Sequence, residues 1–366
     1  MKIALCFLIS YEHAVNKEQL WIDWIKPNSD IINVYFHYKN IDAIKSKWIR
    51  THAIPPDLTK PTTYFNVVPA YFSVFSYAFN HDKENMWFCI LTEACVPAIS
   101  SANFRKLFFQ HYPASIIKCR QAWWNIDIQQ RANLKYLSPT YRLANTPWFI
   151  LTRNHIHKCL IFLAGANRIY KMVISGGLAN ESIFAIVLQT FKVLSNPHLV
   201  INEESMITDW TRMSSPTSPY FFKDASEENI CFIEKQLREN KYACFLRKVS
   251  REYPDTEIRR LWTLDFGHTY EYNASLVVKA SNKGSLSCFS NIYNMYRRRQ
   301  VYYKVFFSTS LFCVVYMWFL LNMFYSSSSS SSSVSMSHKT LYVVPLFPLP
   351  SVEENLYRNT TYVLSN

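Results

Sequence analysis

The sequence predicts an α/β fold with a mostly parallel central sheet, and three observations carry that expectation. Short, continuous apolar runs recur at 2–10, 31–37 and 86–91. Segments of helical character, 17–26 and the aromatic-rich 64–80, separate them. The composition is 49% hydrophobic and 16% aromatic with only five glycines, so a sizeable core can be filled and disorder of the body is excluded.

Lys2–Ser10 reads as a strand buried on both faces, because its apolar residues run on without alternation. It is too short to span a bilayer, and Tyr11, Glu12 and His13 follow it without the small-residue cleavage site of a secretory signal. Ile31–His37 is the second strand and Met86–Leu91 the third. Strands alternating with helical segments imply βαβ crossovers and place ligands at the carboxyl ends of the strands. GxGxxG, GxxxxGK[ST] and GxSxG are all missing from the sequence, so dinucleotide, P-loop and α/β-hydrolase sites are unsupported.

The 366 residues accommodate one large domain with appendages, since single cores stop growing at roughly 250 to 300 residues. A net charge of +13 favours anionic partners: nucleotide-sugar diphosphates, acidic lipid headgroups or nucleic acid. Nucleic acid is disfavoured, because the basic residues are spread along the chain with no recognised binding signature. Nine cysteines without CxxC spacing read as buried reduced thiols. His155, His157 and Cys159 alternate suggestively, but no second ligand pair with zinc-like spacing follows.

Val305–Tyr325 carries no charge and is long enough to cross about 30 Å of hydrocarbon. Arg297–Arg299 and Lys304 precede it, and eight serines (326–333) follow. The predicted organisation is a domain over 1–260, a basic connector over 261–304, a transmembrane helix over 305–325 and a Ser-rich tail over 326–366. The basic flank places the amino-terminal part in the cytosol and the tail in a lumen or outside the cell.

Five segments in order carry a resemblance. They are Trp87-Phe-Cys-Ile-Leu-Thr-Glu-Ala-Cys-Val-Pro97, Thr146-Pro-Trp-Phe-Ile-Leu-Thr-Arg153, Asn180-Glu-Ser-Ile-Phe184, Thr208-Asp-Trp-Thr-Arg212 and Ala243-Cys-Phe-Leu-Arg-Lys248. Together they resemble the core 2/I-branching β-1,6-N-acetylglucosaminyltransferase family, in particular its plant-type members. The resemblance covers residues 1 to about 260 and implies a GT-A-like glycosyltransferase fold. It also implies metal-independent, inverting transfer of a sugar, N-acetylglucosamine foremost, from a UDP-sugar to a glycan or glycoprotein acceptor.

Such a transfer needs a base for the acceptor hydroxyl and positive charge for the departing diphosphate. Asp-x-Asp, the usual metal-binding motif of GT-A enzymes, does not occur in the sequence. The candidates are therefore Glu181 as general base, Lys248 and Arg247 as diphosphate ligands, and Trp210 and Glu93 as sugar or acceptor contacts, with no metal and no cofactor. Asn180 stands where the family has Asp. Two other readings compete: a membrane adaptor that keeps the fold without activity, and a basic membrane- or nucleic-acid-binding protein.

Overall fold

The computed structural model describes residues 1–268 apart from Tyr11 and Pro216. In chain order the elements are β1 (Lys2–Leu8), α1 (Glu18–Ile25), β2 (Ile32–His37), α2 (Lys47–Thr51), α3 (Val68–His81), β3 (Asn85–Thr92), β4 (Val96–Pro97), α4 (Ser101–His111), β5 (Ser115–Ile116) and β6 (Cys119–Gln121). Next come β7 (Leu143–Asn145), β8 (Ile150–Thr152), α5 (Arg153–Gly165), α6 (Asn167–Ile174), α7 (Ile183–Thr190), β9 (Val200–Ile201), β10 (Met206–Thr208), α8 (Glu227–Glu239), β11 (Phe245–Arg247) and α9 (Asp255–Leu261). The expected transmembrane segment, connector and tail lie outside the described residues, apart from the first few residues of the connector. Among the described residues no helix is long and apolar enough to cross a membrane.

Six strands form the main sheet in the order β2-β1-β3-β8-β5-β9. Neighbours pair in parallel except around β8, which runs against both β3 and β5. The sheet is thus mostly parallel, as the sequence predicts, with one reversed strand. Ile3, Ala4, Leu5, Cys6 and Phe7 are fully buried, which explains the unbroken apolar run of β1. Leu8 is level with His37 on one side and Thr92 on the other, so the carboxyl ends of β1, β2 and β3 finish together. That shared edge is the floor of the candidate site.

Helices α1 and α3 pack through buried aromatic side chains. Trp21 and Trp24 of α1 are buried, and their indole N–H groups donate to the carbonyls of Cys95 (2.9 Å) and Ile99 (2.8 Å). Each fully buried side chain of this size contributes about 1.5–3 kcal/mol, and the bonded N–H removes the cost of burying the polar edge. Helix α3 packs against β1, β2 and β3 and buries Tyr71, Phe72, Val74 and Phe75, with Tyr71 and Phe72 meeting Phe184 of α7. Side chains cap α4 and α5: Ser100 Oγ accepts from Asn103 N at 3.1 Å, and Thr152 Oγ1 from His155 N at 3.3 Å.

A second sheet, β10-β11-β4, sits beside the carboxyl edge of the first. Thr208 is level with Arg247, and Phe245 with Pro97. One short sheet therefore holds the Glu93 turn, the Trp210 loop and the Arg247-Lys248 pair in fixed register. Beyond residue 260 the chain still packs on this body, with the Trp262 indole donating to Pro97 O at 3.0 Å.

Candidate functional site

A cavity of about 360 Å³ opens at the carboxyl ends of β1, β2 and β3. All five residues singled out in the sequence, Glu93, Glu181, Trp210, Arg247 and Lys248, line it. They come from stretches far apart in the chain, and the fold brings them together.

Glu181 ends a single 3-10 turn, Ala179–Glu181, that follows Leu178 in the left-handed region (φ 55°) and leads into α7. Its side chain is only 18% exposed, which sets it apart from the solvated helix Glu that this residue type usually is. Burial pushes its carboxyl above the usual carboxylate range, and the Arg131 guanidinium, donating from Nη1 to Oε2 at 3.1 Å, opposes that rise. The turn is fixed from below by Asn145, fully enclosed in β7: its Nδ2 donates to Asn180 O (2.9 Å), and its Oδ1 accepts from Ala185 N (3.1 Å).

Lys248 and Arg247 line the same cavity. Burial holds the Lys248 ammonium below the usual lysine range, the Arg247 charge adds to the effect, and Glu93 works against it. Lys248 Nζ donates to Ser218 Oγ at 2.7 Å. Arg247 lies over the Trp148 ring, 4.6 Å from its centroid, and donates to Thr92 Oγ1. Both residues therefore present fixed cations to the cavity.

Trp210 is 45% exposed and so is not a core residue. The preceding Asp209 is buried and organises the loop. Burial pushes its carboxyl up, but hydrogen bonds from Thr211 and Arg212 outweigh that and hold it below the usual range. Its Oδ1 accepts from Thr211 N (2.8 Å) and Thr211 Oγ1 (2.7 Å), and its Oδ2 from Arg212 Nε (2.6 Å). The Asp-Trp pair thus divides its work: Asp209 shapes the turn and Trp210 meets the cavity.

Several lining residues were not singled out in the sequence, among them His37, Lys39, Tyr64, Tyr71 and Trp148. Burial, reinforced by the charge of Lys39, pulls His37 down to about 4, so its imidazole is neutral at neutral pH. Nε2 accepts from Lys60 N at 3.0 Å, which leaves the proton on Nδ1. Its position at the end of β2 was the one signal that could have found it. Two buried polar atoms of lining residues, Asn180 Oδ1 and Arg247 Nε, have no hydrogen-bond partner among the described residues.

The His155, His157 and Cys159 pattern is dispersed: His155 Nδ1 shares a 2.6 Å hydrogen bond with Ser115 Oγ, His157 stacks on Phe79, and Cys159 is in the core. Among the described residues no group of three or more His, Cys, Asp or Glu is placed to hold a metal ion. Six of the seven described cysteines are buried as expected, and Cys231 is exposed on α8. Comparisons of the chain with protein-family models and with curated proteins found no match.

Proposed function

We propose that this chain is a metal-independent, inverting glycosyltransferase with a GT-A-like catalytic domain, acting at the cavity beside β1, β2 and β3. The observation that carries the reading is convergence. A partly desolvated carboxylate, two held cations and an exposed indole, taken from three separate segments of the sequence, line one cavity at the ligand-bearing edge of a mostly parallel sheet.

In the proposed step the acceptor hydroxyl oxygen attacks the anomeric carbon of a UDP-sugar. The bond from that carbon to the phosphate oxygen breaks, the diphosphate leaves with the electron pair, and Glu181 takes the hydroxyl proton. A carboxylate raised by burial is the stronger base for this task. Lys248 and Arg247 stabilise the charge that grows on the diphosphate, the work a metal performs in enzymes with Asp-x-Asp. Trp210 offers an apolar face to a sugar ring, and Glu93 accepts from sugar hydroxyls. Residues 305–325 tether the enzyme to a membrane, with the catalytic domain cytosolic.

The test is a screen of UDP-sugars and glycan acceptors with the full-length protein in detergent and excess EDTA. Transfer that survives the chelator supports the reading. Loss of transfer in EDTA with recovery on adding manganese would overturn the assignment of Lys248 and Arg247.

A further inference from the structure

Arg131 is absent from the residues lining the cavity, yet among the described residues it makes the only side-chain hydrogen bond to Glu181. Its own placement is firmly built. The guanidinium lies 5.3 Å from the centroid of the Trp124 ring, and the backbone of Arg131 bridges in parallel to Gly177. Ala132 N donates to Gly177 O at 3.0 Å. A Cβ on the neighbouring Gly176 would stand 2.4 Å from Asn133 N, so only glycine allows the two backbone segments to approach this closely. The backbone that carries Glu181 and the one that carries Arg131 are thereby locked together, two residues from the left-handed turn at Leu178.

An enclosed carboxylate without a counter-charge takes up a proton and ceases to be a base. We propose that Arg131 is a positioning residue for Glu181: it grips one carboxylate oxygen from outside the cavity, keeps the group ionised, and leaves the other oxygen to the acceptor hydroxyl. This rests on the reading of Glu181 as general base. The other titratable or charged side chains that line the cavity with Glu181 are His37, Lys39, Tyr64, Tyr71, Glu93, Arg247 and Lys248.

The experiment follows the Glu181 carboxyl by carbon-13 resonance in the full-length, glutamate-labelled protein, with the signal assigned by its loss in Glu181→Gln. In Arg131→Gln the titration midpoint should rise by about one pH unit or more, and Arg131→Lys should restore part of the difference. An unmoved midpoint in Arg131→Gln overturns the proposal. Should that variant fail to fold, the pair is read from its other member: the Arg131 Nη nitrogen-15 resonances should shift in Glu181→Gln, and unshifted signals overturn the proposal equally. When transfer is measured, the acidic limb of kcat/KM should move upward with the midpoint while donor KM stays constant, a split that a merely structural arginine would not give. Neither resonance depends on activity. A coupled pair in a chain that transfers nothing overturns the base assignment, whereas an uncoupled pair in an active chain overturns the role of Arg131 alone.

Discussion

Lys248 and Arg247 are neighbours in sequence but are held in different ways, and their substitutions should differ accordingly. Lys248 makes one side-chain bond, to Ser218, so Lys248→Ala should weaken UDP binding at least about tenfold in calorimetry while leaving thermal unfolding nearly unchanged. Arg247 stacks on Trp148 and bonds Thr92, so its loss should lower stability as well as binding. Equal stability losses in the two variants would contradict this division. At the far end of the sheet Asp82 supplies a pH signature. Burial pushes its carboxyl up, but hydrogen bonds from Lys2, Glu84 N and Asn33 prevail and lower it to about 2 from the ordinary 3.8. A depressed carboxylate stabilises the fold above its ordinary value, and that contribution is lost as pH falls through its folded value. Unfolding free energy should therefore drop between about pH 4 and 2, and Asp82→Asn should flatten that drop. Glu181 and Lys248 were picked out of the sequence through the segments in which they stand, and both line the cavity. Arg131 was not, since its role depends on a backbone contact with Gly177 that no local pattern encodes.

Strands β1, β2 and β3 were legible because full burial leaves an unbroken apolar run, and the structure places them within a residue or two of the expected limits. The short strands were not. Strand β8 contributes only Ile150–Thr152, too few residues to show a period, and its reversal against β3 is set by tertiary pairing. Helix α7 escaped for the opposite reason: Ile183 through Leu188 are all buried, so it has no polar face to reveal a helical repeat. Between these elements Asn145 links β7 to the Glu181 turn and the start of α7. Asn145→Ala strips the Ala185 N–H and the Asn180 carbonyl of their side-chain partner, at a cost of about 1–3 kcal/mol for each group left unsatisfied. The expected outcome is a midpoint of thermal unfolding lowered by several degrees, with transfer reduced more than UDP binding. A variant with unchanged transfer would show that the turn does not depend on this asparagine.

For the molecule as a whole, sidedness and activity can be tested separately. Of the three Asn-x-Ser/Thr sequons, Asn180-Glu-Ser182 is enclosed in the fold, with Asn180 buried and Ser182 fully so. Asn273-Ala-Ser275 and Asn359-Thr-Thr361 lie outside the described residues, and under the proposed topology, with the basic flank at 297–299 on the cytosolic side, only Asn359 would face the lumen. Glycosylation at Asn359 alone is the expected result of glycosidase digestion of Asn→Gln variants expressed in a eukaryotic cell. A glycan at Asn273 would place the catalytic domain in the lumen and reverse the topology while leaving the chemistry untouched. The proposed chemistry rests on Glu181, whose partly buried carboxylate lines the same cavity as Lys248 and Arg247. The most direct measurement compares sugar transfer by the full-length protein and by Glu181→Gln, in EDTA and with UDP binding monitored in parallel. A fall in turnover of at least about a hundredfold with UDP affinity nearly unchanged is the predicted result. Near-normal transfer by the glutamine variant would contradict the assignment of the base, and with it the account of this cavity as a glycosyl-transfer site.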